Sequence, residues 1–102
     1  MQLNHSTNKH ATITRFALGQ TFITPGAEEA LQIAGQTATG FLRRHMSGDW
    51  GELSDEDVRE NEFSLKEGLR LLSAYQTGKG QKLWIITEAD RSATTILLPS
   101  EY

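Results

Sequence analysis

Over residues 11–24 the string ITRFALGQTFIT alternates, with Ile13 and Arg15 set against Thr12, Thr14 and Phe16. This predicts a strand, interrupted at Gly19 by a bulge or turn. Thr24-Pro25-Gly26-Ala27-Glu28-Glu29 then reads as a helix start: Thr24 can cap, Pro25 fits the first turn, and the glutamates favour the positive end of the helix dipole. Ala27, Ala30, Leu31 and Ala34 form its expected buried stripe, and Gly35 its stop. Thr37 can cap a second short helix running through Phe41, Leu42 and His45 toward Gly48, with Arg43, Arg44 and His45 complementing the dipole near its end. Ser54-Asp55-Glu56-Asp57 opens a third, with a capping serine and early carboxylates, expected to reach about Asn61 or a little beyond.

After Gly68 the period becomes two. Residues 69–76, 82–89 and 93–99 are strand-like runs separated by turn-forming residues, which predicts an antiparallel meander. In the middle run Leu83, Ile85 and Thr87 alternate with Trp84, Ile86 and Glu88, so both faces are partly apolar, as suits a central strand covered by helices on one side. The chain is therefore expected to be α+β: an N-terminal strand able to join the sheet edge, two or three short helices, then a three-stranded antiparallel meander with the helices on one face. Residues 1–10, polar and carrying His5, Lys9 and His10, are expected to be a flexible N-terminus, and 11–102 a single domain.

Composition narrows the class. Apolar residues with glycine make up about 44% of the 102, close to the globular norm of about 45–50%, so disorder throughout is excluded. The absence of cysteine removes disulfides, zinc–thiolate sites and thiol nucleophiles. No apolar run approaches the ~18 residues of a membrane span, and the polar start does not resemble a signal peptide, so a cytoplasmic location is expected.

The formal charge of −3 is unevenly placed: residues 1–48 sum to +2, 49–62 to −6 and 63–102 to +1. Nearly all of it lies in Asp49, Glu52, Asp55, Glu56, Asp57, Glu60 and Glu62, around Trp50. Such a segment repels phosphate backbones and attracts basic partners, unless it is only a solvated helix face. Helix capping accounts for Asp55, Glu56 and Asp57, which leaves Asp49, Glu52, Glu60 and Glu62 calling for a partner.

No phosphate loop, dinucleotide fingerprint, zinc-protease motif or nucleophile elbow is present, and no cofactor or metal is implied. His45, the only histidine in the expected globular body, stands four residues from Asp49, a spacing that brings side chains together on a helix. With Asp49, Glu62 and Arg91 around one pocket it would make a small nuclease or hydrolase. Trp50 is either a plug in the core or an exposed binding anchor. Asn61-Glu62 sits where the acidic helix approaches the strands and can order a loop or form part of a site. Glu88, Asp90 and Arg91 cluster in a hairpin connection as a candidate site for a small polar ligand, Arg91 being suited to a phosphate or carboxylate; alternatively Asp90 and Ser92 hold the turn and Arg91 pairs with a neighbouring carboxylate. Arg43, Arg44, Lys79 and Lys82, with Trp84, offer a weaker nucleic-acid surface, opposed by the acidic helix.

The blocks Gly48-Asp49-Trp50-Gly51-Glu52, Glu60-Asn61-Glu62 and Arg70-Leu71-Leu72-Ser73-Ala74-Tyr75, together with the tail from Lys82 to Pro99 (KLWIITEADRSATTILLP), resemble a family of small bacterial proteins of plasmids, integrative elements and prophages. The resemblance covers roughly residues 15–102. It implies a mobile-element setting and its conflicts with host defence, and carries no assigned chemistry. The expectation that follows is a non-enzymatic interaction protein whose acidic helix and Trp50 turn bind a basic protein, such as a host defence or nucleic-acid-processing protein, as an inhibitor or DNA mimic. A hydrolase and a nucleic-acid-binding regulator are the alternatives.

Overall fold

The computed structural model describes residues 14–102. The expected flexible N-terminus, 1–10, and the first part of the predicted strand, 11–13, lie outside them. Within the described residues the first strand is shorter than the alternation suggested: β1 covers only Gln20–Ile23. Residues 14–18 are instead anchored through Phe16 and Leu18. Phe16 is buried beside Trp50, and the Leu18 carbonyl accepts from the Thr94 hydroxyl at 2.7 Å. Gly19, at φ 66°, lies so close to the Ser92 backbone that any Cβ there would collide with it.

Helix α1 (Pro25–Ala34) is built as its sequence requires, with Thr24 Oγ1 accepting from the Ala27 amide at 3.2 Å and Gly35 closing it in the left-handed region. The far end of the chain reinforces this start: the Glu101 carboxylate accepts from the Thr24 hydroxyl at 2.5 Å and the Gly26 amide at 3.0 Å. A negative group thus sits at the positive pole of α1. In α2 (Ala38–Met46) Thr37 holds the N-cap position, but its side chain makes no capping bond, contrary to expectation. Helix α3 (Asp55–Glu67) opens with Ser54 Oγ accepting from the Asp57 amide at 3.1 Å and runs well past Asn61 to its stop at Gly68.

Strands β2 (Leu71–Gln76), β3 (Lys82–Thr87) and β4 (Ala93–Leu97) form the expected antiparallel meander. The last run ends sooner than predicted because Pro99–Glu101 turns into a short 3-10 helix. Strand β1 adds parallel to β4, making a mixed four-stranded sheet in the order β1-β4-β3-β2. Register divides its two faces. Leu71, Ser73, Tyr75, Leu83, Ile85, Thr87, Thr94 and Ile96 share the inner face, against which Ala27, Ala30, Leu31 and Phe41 pack. Leu72, Ala74, Trp84, Ile86, Thr95, Leu97 and Phe22 share the outer one. A second buried group, Phe16, Trp50 and Leu71, lies under α3 with Leu53, Val58 and Leu65. Of the predicted helical stripe, Ala27, Ala30 and Leu31 are buried and Ala34 half-buried.

The free edge of β2 is closed. Asn61 Nδ2 donates to the Leu72 carbonyl, and its Oδ1 accepts from the Leu72 amide at 3.1 Å, so one side chain occupies the place of a neighbouring strand. Two residues on, the Ala74 amide donates to the Trp50 carbonyl at 3.1 Å and the Ala74 carbonyl accepts from the Glu52 amide at 2.7 Å. Gly51 makes that approach feasible, since its φ is 79° and a Cβ would run into the Ala74 carbonyl and the Tyr75 ring.

Candidate functional site

His45 has no exposed surface, although it lies among arginines in the last turn of α2. The helix turns it onto the inner face of the sheet, where three strands supply hydroxyls at inward positions. Nδ1 lies 2.6 Å from Ser73 Oγ and Nε2 2.8 Å from Thr87 Oγ1; Thr87 Oγ1 is 2.7 Å from Thr94 Oγ1, which reaches the Leu18 carbonyl. The carbonyl can only accept, so the proton order follows along the chain of bonds. Thr94 donates to Leu18, Thr87 to Thr94, and His45 Nε2–H to Thr87. Burial, with the positive Arg91 nearby, holds the imidazole pKa down at about 4, so near neutral pH the ring is uncharged and Nδ1 accepts from Ser73.

This arrangement decides the sequence candidates. The expected His45–Asp49 pair does not form, because α2 ends at Met46 and Asp49 turns back to accept from Arg44 Nε at 2.7 Å. Asp49 is held below the usual carboxylate range by that arginine, and its backbone carbonyl accepts from the Tyr75 hydroxyl at 2.5 Å. Burial pushes the Tyr75 phenol up to about 12.

Of the two readings of Trp50, core plug or exposed anchor, the structure shows the plug, 4% exposed. It stacks on Phe16 with ring centroids 6.1 Å apart, meets the edge of His45 at 5.8 Å, and donates its indole N–H to Glu62 at 2.9 Å. Glu62 also takes a two-pronged bond from Arg15 at 2.8 and 2.9 Å, and these donors, the guanidinium above all, bring its pKa down to about 2.

Arg91 lies over the Phe16 ring at 5.7 Å and spends its guanidinium on backbone: the Leu69, Glu88 and Ala89 carbonyls accept at 2.6, 3.1 and 3.2 Å. It therefore clips the β3–β4 turn to the end of α3 and offers no open cationic fork. Asp90 accepts from the Ser92 amide at 3.0 Å and holds the turn, while Glu88 faces Arg70 at 3.9 Å. His45, Glu62 and Arg91 thus surround one aromatic pair, but the rings of Phe16 and Trp50 stand between them and each is bonded elsewhere. Among the described residues, no three His, Asp or Glu side chains are grouped as metal ligands would be.

The carboxylates that called for a partner are largely answered within the fold: Asp49 by Arg44, Glu62 by Arg15 and Trp50, and Glu52 by the Gln76 amide at 3.2 Å. The exposed acidic surface that remains is Asp55, Glu56, Asp57 and Glu60 on α3. Beside it lie two adjoining hollows the sequence did not announce. One hollow of about 200 Å³ lies between α3 and β2, lined by Leu53, Asp57, Glu60, Asn61, Arg70 and Leu72. A second of about 260 Å³ continues on the outer face, lined by Arg70, Leu72, Trp84, Ile86 and Tyr102. The two share Arg70 and Leu72.

The second hollow is mainly apolar. Trp84 and Tyr102 meet edge to face at 5.6 Å, and Arg70 lies 5.3 Å from the Tyr102 ring and donates to its hydroxyl at 2.8 Å. Of these residues, Trp84 and Ile86 carried a sequence signal, as alternate positions of a central strand, and Trp84 was also a candidate for a nucleic-acid surface. Tyr102 reaches the groove only because the 3-10 turn redirects the chain.

No family model, curated protein or solved structure matches the chain. Among the described residues, no helix is long and apolar enough to cross a membrane.

Proposed function

We propose that the protein is a non-enzymatic interaction protein that binds a basic protein partner through α3 and the groove beside it. The observation that carries this reading is the adjacency of the two hollows, which share Arg70 and Leu72, with acidic Asp57 and Glu60 lining one and Trp84, Ile86 and Tyr102 the other. A partner segment with lysine or arginine next to an aromatic or aliphatic side chain would meet both halves at once. Aromatic anchors supply most of the affinity in such contacts, and the charges supply encounter rate and selectivity. Trp50, Asp49 and Glu62 drop out of the contact surface on this reading; Asp55, Glu56, Asp57 and Glu60 remain in it and Trp84 joins them.

The resemblance to proteins of plasmids and prophages makes a host defence or nucleic-acid-processing protein the first partner class to test, with inhibition or DNA mimicry as the mode. The hydrolase alternative has less support, since both ring nitrogens of His45 are occupied by hydroxyls in a site with no exposed surface. A nucleic-acid surface has less support too, Arg44 being engaged by Asp49 and lying over the Tyr75 ring at 4.5 Å.

Affinity capture from a nuclease-treated bacterial lysate tests the proposal, comparing the native chain, a Trp84→Ala variant, and a triple variant with Asp55, Glu56 and Glu60 each changed to Lys. Recovery of basic, nucleic-acid-binding proteins that falls at least tenfold with either variant supports it. Equal recovery of the same proteins on the charge-reversed chain overturns it.

A further inference from the structure

The two edges of the sheet are treated differently, and the contrast points to self-association. The β2 edge is covered by Asn61 and by residues 50–52, as described above. At the other edge, the Gln20 amide bonds inward to the Ser92 carbonyl at 2.9 Å and the Thr24 amide to the Ile96 carbonyl at 3.0 Å. By strand alternation Thr21 and Ile23 therefore direct their N–H and C=O groups outward. Among the described residues nothing bonds to these four groups.

Natural edge strands are blunted by shortness, charge, proline, a bulge or a covering element, and of these devices β1 has only its four-residue length. Strand β1, Gln-Thr-Phe-Ile, has no charged residue, no internal proline and no bulge, and Phe22 is 50% exposed.

We propose that two copies of the chain pair through β1, antiparallel about a two-fold axis, joining two four-stranded sheets into one of eight. The strand is self-complementary in a single register. With Phe22 opposite Phe22 of the second copy, Thr21 faces Ile23 and Ile23 faces Thr21. Both are then hydrogen-bonded pairs, and all four outward groups of each copy are satisfied. The Phe22 pair becomes the close, non-hydrogen-bonded pair on the outer face, continuing the row Leu72, Ile86, Thr95 and Phe22 into its symmetry mate. A strand of this length carrying no charge has nothing to repel its own copy. One short edge gives a weak, concentration-dependent dimer that works independently of the α3 groove.

Sedimentation equilibrium on the full chain from about 10 µM to 1 mM is the test, with Thr21→Pro and Phe22→Lys variants alongside. Thr21→Pro removes an outward donor without touching the ladder to β4, and Phe22→Lys sets like charges opposite each other on a half-exposed site. The native chain is expected to approach twice its monomer mass, and each variant to dissociate at least tenfold more readily. Amide exchange on the native chain supplies a readout free of mutation: Thr21 and Ile23 should gain protection, at least tenfold, as concentration rises. A native chain that stays monomeric throughout overturns the proposal, as does a dimer that persists in both variants with Thr21 and Ile23 unprotected.

Discussion

The inner and outer faces of this one sheet handle polar groups in opposite ways. On the inner face Ser73, Thr87, Thr94 and His45 are fully buried and each has a partner, so the polar line holds α2, three strands and the segment at Leu18 together. On the outer face Arg70 and Glu88 stand 3.9 Å apart with about half of each side chain in solvent, and Tyr102 is 69% exposed. The lesson is that the residue with the most chemical promise, His45, is committed to structure by its burial. The exposed outer surface is built from residues with ordinary side-chain chemistry.

Truncating the inner line should have the largest effect. His45→Ala is expected to destabilise the protein by about 3–5 kcal/mol, since it opens a cavity and strands two buried hydroxyls. Urea unfolding measures it, and a loss below about 1 kcal/mol would erase the contrast between the faces.

Acid should reach the inner face next. The folded chain holds His45 near pKa 4 and the unfolded chain near 6.5, so the unfolded state takes up a proton first as pH falls. Stability that is whole above about pH 6.5 should decline by about 3 kcal/mol by pH 4, at 1.36 kcal/mol per pH unit. Glu62, depressed to about 2 by Arg15 and Trp50, adds a separate loss that begins only below about pH 4.5. Unfolding midpoints across pH 3–8 for the native chain and His45→Gln would separate the two windows; an unchanged slope between pH 4 and 6.5 in the variant would remove His45 as the cause.

At the boundary between the faces, Asn61→Ala should cost about 1–3 kcal/mol by leaving the Leu72 amide and carbonyl unpaired, and amide exchange at Leu72 should quicken with it. On the outer face Trp84→Ala should cost about 1–3 kcal/mol, the area of a half-buried ring together with its contact with Tyr102, while lowering partner capture at least tenfold. Smallest of all, Glu60→Lys should leave stability within about 0.5 kcal/mol and change only binding and its salt dependence. A large stability loss from either outer substitution would show that the groove is part of the core's support.

Much of the architecture was legible because it follows from local signals. Thr24, Ser54, Gly35 and Gly68 mark helix ends through bonds made within a turn, and strand alternation marks the runs 69–76 and 82–89, of which Leu71–Gln76 and Lys82–Thr87 enter the sheet, through side-chain period alone. The length of β1 was not legible, because whether 14–18 joins a ladder or packs under Trp50 depends on a distant element. The candidate site was less legible still. Asp49 and His45 have helical spacing, yet the helix ends between them and a nearby arginine wins the carboxylate. Asn61 stood out at the approach of α3 to the strands, but its role as a surrogate strand required the β2 edge to be in place.

The sequence by itself determined where helices begin, which strand positions alternate, and that the acidic charge is concentrated in and just before one helix, because these rest on backbone sterics and near-neighbour bonding. Only the tertiary structure decided the parallel addition of β1, the pairing of Asp49, Glu52 and Glu62 with side chains of this chain, and the burial of His45 among three hydroxyls. Each of these depends on groups far apart along the chain, and a desolvated polar group takes whichever partner the packing brings within reach.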